Sequence, residues 1–209
     1  DYKQLESIGS SSVLRHLSDV IGTARIETIR RQNSEWDRKA VASFRDGFAK
    51  NALELYQQHN RLHFVDTEEN AQERLVDDWW QDNVSQKSKD TMILARTWKQ
   101  VTNLNLLVRT RLQENGLVGK EDLDIAGVVN NRSISYNLSL NERLRFTEND
   151  NRLGFTNGDV GTVVNIDISK SGTKTFTIRR DDGIEVIVNQ QNYSDRKGRL
   201  YLVPAYAQT

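Results

Sequence analysis

Arg30 and Arg31, followed at once by Gln32, place two permanent charges and an amide just ahead of a helix-opening segment. A guanidinium carries a planar fork of donors that matches phosphate oxygens, yet two adjacent basic residues before a helix are, taken alone, ordinary solvated charge. Gln4 is an amide that donates and accepts at once, and taken alone it belongs to a polar loop. Thr97 with Gln100 three residues on forms a capping box, so Thr97 is a helix cap first and a functional residue second. Lys170, Lys174, Arg179, Arg180, Arg196, Lys197 and Arg199 make one region locally basic. Such a cluster can meet phosphate, but its first reading is a solvated face. Trp36, Trp79, Trp80 and Trp98 sit in or beside helical apolar stripes and read as core rather than as base-stacking platforms. His16, His59 and His63 have no metal-ligand spacing and there is no cysteine, so no metal site is expected.

The elements that must position these groups change character along the chain. Its 209 residues carry 29 basic and 29 acidic side chains, so any contact with nucleic acid has to be local. No apolar run reaches the roughly 20 residues of a membrane span. Without cysteines or a signal segment, the expected compartment is the cytoplasm. Val13, Leu14, Leu17, Val20 and Ile21 recur at helical spacing, with Gly22 as the stop. Residues 24–29 read as a strand. Ser34 and Asp37 open a helix whose buried stripe is Trp36, Ala40, Val41, Phe44 and Phe48. A helix over 51–59, a strand over 62–65, a helix capped by Thr67 and a strand over 91–95 follow. Thr97 then starts a helix carrying Val101, Leu104, Leu107, Val108 and Leu112, stopped by Gly116. Alternating strands and helices favour an open, largely parallel sheet with flanking helices.

From about Ile125 the helical period disappears. Runs at 133–138, 143–147, 161–168, 173–180 and 184–188 are β-branched and are separated by Asn157-Gly158, Ser171-Gly172 and Asp182-Gly183. Such pairs tolerate the positive φ of tight turns, so a small barrel is expected. Residues 200–205 are apolar again and are expected to rejoin the first sheet. The reading is α/β: an open sheet with helices, interrupted by a barrel. The segment from Glu114 to Asp122 joins the two and is the expected site of proteolytic cutting.

Four ordered stretches carry a resemblance. Asp1, Tyr2, Lys3, Gln4 and Leu5 are similar to the Gly-Asp-x-x-Gln-Leu motif of superfamily 1 helicases, without its leading Gly. Thr28, Ile29, Arg30, Arg31 and Gln32 resemble the segment ending in Arg-Gln that opens their second motor domain. Met92 to Thr97, with Val101, Leu104 and Asn105, resembles a strand-turn-helix of that domain. Phe146, Asn149, Asp150, Leu153, Gly154, Asn157, Gly158, Asp159, Gly161 and Thr162 look like the inserted barrel of TraA-type conjugative relaxase/helicases. Tyr206, Ala207 and Thr209 resemble the opening of a further DNA-contacting motif.

The resemblance implies a partial RecA-like open sheet over 1–124, an SH3-like β-barrel insertion over 125–199 and a return into the motor sheet over 200–209. It implies that Gln4 senses the γ-phosphate, that Arg31 completes the ATP site from across the cleft with Gln32 beside it, and that Arg30 is the lesser choice. It makes Thr97, Arg152 and Asn157 DNA-contacting residues, with single-stranded DNA and the remainder of the helicase/relaxase polypeptide as partners. Components of the conjugative secretion apparatus are further docking partners under a non-catalytic reading of the same surface. ATP and magnesium are the implied cofactors of the intact motor. The Gly-rich phosphate loop with its Lys and the acidic magnesium strand would precede Asp1, and neither pattern occurs in the sequence. The chain therefore reads as a piece of a larger motor, expected to bind no cofactor and hydrolyse no ATP by itself.

Overall fold

The computed structural model describes residues 13–22, 24, 29–85 and 91–209. The chain divides into two units, Asp1–Val65 and Asp66–Thr209.

In the first unit α1 spans Val13–Ile21, α2 Glu35–Arg45 and α3 Ala49–Gln58. The helices α2 and α3 form an antiparallel pair. Ala40 and Ala52 are fully buried, and small side chains of this kind let two helix backbones approach closely. Aromatic rings flank them: Trp36 meets Tyr56 edge-on at 5.5 Å and stacks on His59 at 4.1 Å. The Tyr56 hydroxyl donates to Asp37 at 3.1 Å. The expected stripe of α2 is only partly realised, because Phe44 and Phe48 are exposed. Residues 62–65 form no strand and Phe64 is 81% exposed. A strand needs a hydrogen-bonding neighbour, and none pairs with this stretch among the described residues. The strand expected over 24–29 falls largely outside them.

The second unit opens with α4, Glu68–Trp80, which runs on into a π-helical turn, Gln81–Ser85. The Thr67 hydroxyl accepts from the Asn70 N–H at 3.1 Å, and Glu68 and Glu69 occupy the positive end of the helix dipole. Strand β1, Ile93–Leu94, leads through the Thr97 capping box into α5, Trp98–Glu114. This helix buries Val101, Leu104, Val108 and Leu112, while Leu107 stays partly exposed. It ends where Gly116 takes φ +68, a conformation that favours glycine. The connection over 115–122 is a loop, with Val118 buried and the Gly119 N–H bonded to the Leu140 carbonyl at 2.9 Å.

Strands then dominate. Leu123–Val129 (β2) and Arg132–Leu138 (β3) make an antiparallel hairpin, turned by Asn130 and Asn131 with φ of 48 and 64. The two asparagines adopt left-handed backbone in a two-residue connection. Arg143–Phe146 (β4), Val160–Ile168 (β5), Lys174–Arg180 (β6), Glu185–Asn189 (β7) and Leu202–Pro204 (β8) form a five-stranded antiparallel sheet in the order β7-β6-β5-β4-β8. Its apolar face closes over Phe146, Phe155, Phe176, Ile178, Val163 and Leu202. The hairpin joins this layer through Leu200, whose N–H donates to the Ala126 carbonyl and whose carbonyl accepts from the Val128 N–H, both at 2.8 Å.

Residues 200–205 depart from expectation. Leu202–Pro204 pairs with β4, and only β9, Ala207–Gln208, crosses back to lie parallel to β1. The apolar run over 200–205 thus stays with the five-stranded sheet, and the return is made by the two residues after Tyr206. Gly127 has no room for a side chain, because a Cβ there would lie 2.5 Å from the Leu202 carbonyl oxygen. Gly127→Ala is expected to push the hairpin off the sheet at a cost of about 1–3 kcal/mol, the usual range for overpacking. A urea midpoint equal to that of the parent chain would contradict this close approach.

Candidate functional site

Asn105 stands in the middle of the apolar stripe of α5 and is buried. Its Oδ1 accepts from the backbone N–H groups of Tyr206 and Ala207, both at 3.0 Å. Its Nδ2 donates to the carbonyls of Ala207 at 3.0 Å and Val101 at 2.9 Å. The amide thus acts as a short piece of β-strand and ties β9 to the helix, while the far side of β9 bonds to β1 through Ile93 N–H to Tyr206 carbonyl at 3.1 Å. Trp79 of α4 meets the Tyr206 ring edge-on at 5.7 Å.

One turn along α5, Arg109 enters a charged cluster. Its guanidinium donates to Glu142 through Nε, to Gln113 through Nη1, and to Asp122 and Ser139 through Nη2. The other oxygen of Glu142 accepts from the Tyr206 hydroxyl at 3.0 Å, and that hydroxyl accepts from the Arg143 N–H at 3.2 Å. The Glu142 side chain is 4% exposed and that of Arg109 11%. Desolvation pushes the Glu142 carboxyl above the ordinary carboxylate range, although Arg109 and the Tyr206 hydroxyl pull it back. Desolvation also opposes the charge on Arg109, but its two carboxylate partners more than offset this and hold its pKa up. The hydrogen bond from Arg109 draws Asp122 below the ordinary aspartate range. Burial, reinforced by the charge of Glu142, raises Tyr206 well above a free tyrosine, so its hydroxyl keeps its proton and remains a donor.

Between α5, β3, β8 and β9 lies a groove of about 430 Å³. Trp98, Leu106, Tyr136, Arg145, Pro204 and Gln208 contribute to its walls. The Trp98 ring also carries the Arg132 guanidinium over its face at 5.7 Å.

The residues singled out from the sequence fall in both units. Gln4 lies outside the described residues, as does Thr28. Arg31 is exposed on a bend in the first unit, beside the exposed Arg30. The loop that carries Arg31 is held by Arg38, whose Nη1 donates to the carbonyls of Gln32 at 3.0 Å and Asn33 at 2.8 Å. Thr97 in the second unit spends its hydroxyl on the helix cap, accepting from the Gln100 N–H at 3.3 Å. Arg152 and Asn157 share the loop between β4 and β5. Arg152 pairs with Asp150 at 3.0 Å, and the Asn157 N–H donates to the Asn149 side chain at 2.7 Å.

Much of the basic cluster is neutralised internally. Arg179 pairs with Glu185 at 2.8 Å, Arg180 with Asp182 at 2.5 Å and Arg199 with Asp195 at 2.6 Å, while Lys174 donates to the Asp124 carbonyl at 2.8 Å. Trp79 is buried, as read from the sequence. Among the described residues no group of three or more acidic or histidine side chains could hold a metal ion, and no helix is long and apolar enough to cross a membrane.

The cluster of Asn105, Arg109, Glu142 and Tyr206 was not assembled by sequence reasoning. Asn105 and Tyr206 each belong to a stretch that carries the resemblance, but nothing in those stretches joins them to each other. Arg109 and Glu142 are far apart in the chain, and no local pattern couples them.

Residues 1–67 match a family described as AAA domain. The chain is 32% identical over 196 residues to the conjugal transfer protein TraA of Rhizobium radiobacter, a match covering 93% of this chain and 17% of the relative. TraA of Agrobacterium fabrum is 32% identical over 195 residues, with the same shares covered. A crystal structure of Bacteroides Pif1 bound to ssDNA superposes with a TM-score of 0.46 at 16% identity, covering 86% of this chain and 40% of that one. The chain spans 17% of the length of the TraA proteins it matches. The TraA part of the resemblance read from the motifs is borne out as a similarity along 93% of this chain.

The buried cluster yields a stability prediction. Removing one partner of a buried ion pair leaves the other uncompensated, so Arg109→Ala should lower unfolding free energy by about 3–5 kcal/mol. The Arg109→Ala/Glu142→Ala double variant should lose less than the sum of the single losses, by roughly 0.5–3 kcal/mol as for contacting residues in general. Strict additivity in urea unfolding would show that the two side chains do not act as a pair.

Proposed function

We propose that this chain is part of an ATP-dependent DNA helicase/relaxase that processes DNA during conjugal transfer. The observation that carries the reading is its relationship to TraA proteins along 93% of its length. A match of 196 residues reaches into both units, which supports one kind of parent for the segment bearing Arg31 and the strand-rich segment. In this reading residues 1–124 are a partial RecA-like motor region and 125–199 an SH3-like insertion, with the return to the motor sheet made at β9. The parallel pairing of β9 with β1 is consistent with such a return.

The chemistry this chain could supply is limited to one side of an ATP cleft. Arg31 is exposed and permanently charged, and its loop is fixed by the two bonds from Arg38. On closure of a motor around nucleotide it would meet charge developing on the γ-phosphate, with Gln32 next to it and Gln4 as the amide sensor. The Gly-rich loop and magnesium carboxylate needed for phosphoryl transfer are absent from these 209 residues. The chain alone is therefore assigned no ATPase activity, and magnesium no ligand within it. Thr97, Arg152 and Asn157 are assigned to the path of single-stranded DNA. Thr97 would do this through the start of α5, and Arg152 and Asn157 through a loop whose backbone is fixed by Asp150 and Asn149.

The test is made in the full-length motor that contains this segment. Arg31→Ala should reduce ATP turnover by about 10³ or more, as for other arginine fingers. Arg31→Lys should restore little, because a point charge does not reproduce the planar fork. Thermal stability and nucleotide-free DNA binding should persist, since exposed substitutions usually change stability by less than about 0.5 kcal/mol. Near-normal turnover in Arg31→Ala would refute the assignment, and the same assay on Arg30→Ala would show whether its neighbour holds the role.

A further inference from the structure

Four arginines lie on strands β4 and β6, and three of them have carboxylate partners: Arg143 with Asp181, Arg179 with Glu185 and Arg180 with Asp182. Arg145 has none among the described residues. It is half-buried against the groove beside α5, and its Nη1 donates to the Gln208 side-chain oxygen, a neutral acceptor. A guanidinium offers five N–H donors, and no buried side-chain nitrogen in the described chain lacks a partner. The two other nitrogens of Arg145, Nε and Nη2, therefore keep some exposure to solvent.

Removing a cation from water without a counter-charge is unfavourable. Burial lowers the pKa of Arg145, with no carboxylate to offset it, in contrast to Arg109. The two acidic residues that share the groove do not serve Arg145, because Glu142 and Asp122 are both bonded to Arg109. The same groove is lined by the half-buried Trp98, whose ring has Arg132 over it. An anionic group would complete Arg145, and a flat unsaturated ring beside that group would use Trp98. Both are present in one nucleotide unit, since bases stack on aromatic side chains with little regard to sequence. An acidic peptide would satisfy Arg145 but leave the indole without a role.

We propose that the groove between α5 and strands β3, β8 and β9 is a single-stranded nucleic-acid subsite, with Arg145 on a backbone phosphate and Trp98 under a neighbouring base. This deepens the nucleic-acid reading above and rests on it. Arg145 was not among the DNA-contacting residues implied by the motifs, and it contributes a contact from the strand-rich region to a groove floored by the helix.

The test uses the 209-residue chain and a labelled oligothymidylate, followed by fluorescence anisotropy across a salt series, with circular dichroism confirming the fold of each variant. Arg145→Gln should weaken binding by on the order of 10-fold at low salt and reduce the slope of log K against log salt by about one, as loss of one phosphate contact does. Arg145→Lys should keep the slope but recover only part of the affinity. Lys170→Gln, at the exposed β5–β6 turn, should change neither. Trp98→Phe should retain affinity and Trp98→Ala should lose it. If the chain binds the oligonucleotide but Arg145→Gln and Arg145→Lys match the parent, the subsite is overturned while the nucleic-acid reading stands. If the chain shows no binding at any salt, that reading fails for this segment and the subsite with it. Arg145-dependent binding of a polyglutamate peptide in place of the oligonucleotide would also overturn the proposal.

Discussion

Glu142 places a carboxylate almost out of reach of water where a helix, a sheet and a crossing strand meet, and such a group is tolerated only if its lone pairs are met by fixed donors. Arg109 of α5 supplies one donor and Tyr206, at the crossing into β9, supplies the other. Tyr206 can do so only if its backbone is held at that point, which Asn105 and Ile93 accomplish from either side. Arg109 in turn has to be shared with Asp122 and Ser139, which locks the loop after α5 and the end of β3 to the same centre. A buried network of this type contributes less through net energy than through geometry, since each unsatisfied alternative is costly.

This constraint explains how the strand-rich region is attached to the helical one within the second unit. The five-stranded sheet has its own apolar core, built on Phe146, Phe155 and Phe176, and α4, α5, β1 and β9 have another, built on Trp79, Leu104 and Val108. Two cores joined only by loops would be free to tilt. The Arg109, Glu142 and Tyr206 contacts join them through buried, directional bonds, so the groove bounded by α5 and the sheet keeps its width. That matters for any ligand that touches both walls, because a contact from Arg145 on the sheet and one from Trp98 on the helix can act together only if their separation is fixed.

What could be read from the residues alone was local. The caps at Thr67 and Thr97, the stripe of α5 and the strands β3 to β7 follow from period and turn chemistry over a few residues, and the structure has them close to their expected bounds. The strand β2 was obscured because its sequence, ending in Gly127, Val128 and Val129, lacks clean alternation and begins directly after a loop. The run over 62–65 has strand composition but no partner. Residues 200–205 have one apolar pattern, and only the pairing of Leu202–Pro204 with β4 reveals which sheet takes it. The motifs pointed to Arg31, Thr97, Arg152 and Asn157 one by one, yet composition and spacing could not show that Arg152 is paired with Asp150. Arg145 was least visible of all, since its distinguishing property is the lack of a nearby acid in three dimensions.

The central claim, that a buried charge network fuses the helical and strand-rich parts of the second unit into one cooperative body, is tested most directly by native-state hydrogen exchange. The amides of Val108 in α5, Phe146 in β4 and Ala207 in β9 should open with one common free energy, close to that of global unfolding, as members of a single cooperative unit do. In Tyr206→Phe the three should still report the chain as folded but separate, with Ala207 and Val108 exchanging at lower free energy than Phe146. A parent chain in which Val108 and Ala207 already exchange well below Phe146 would show that the two cores open independently and would contradict the account.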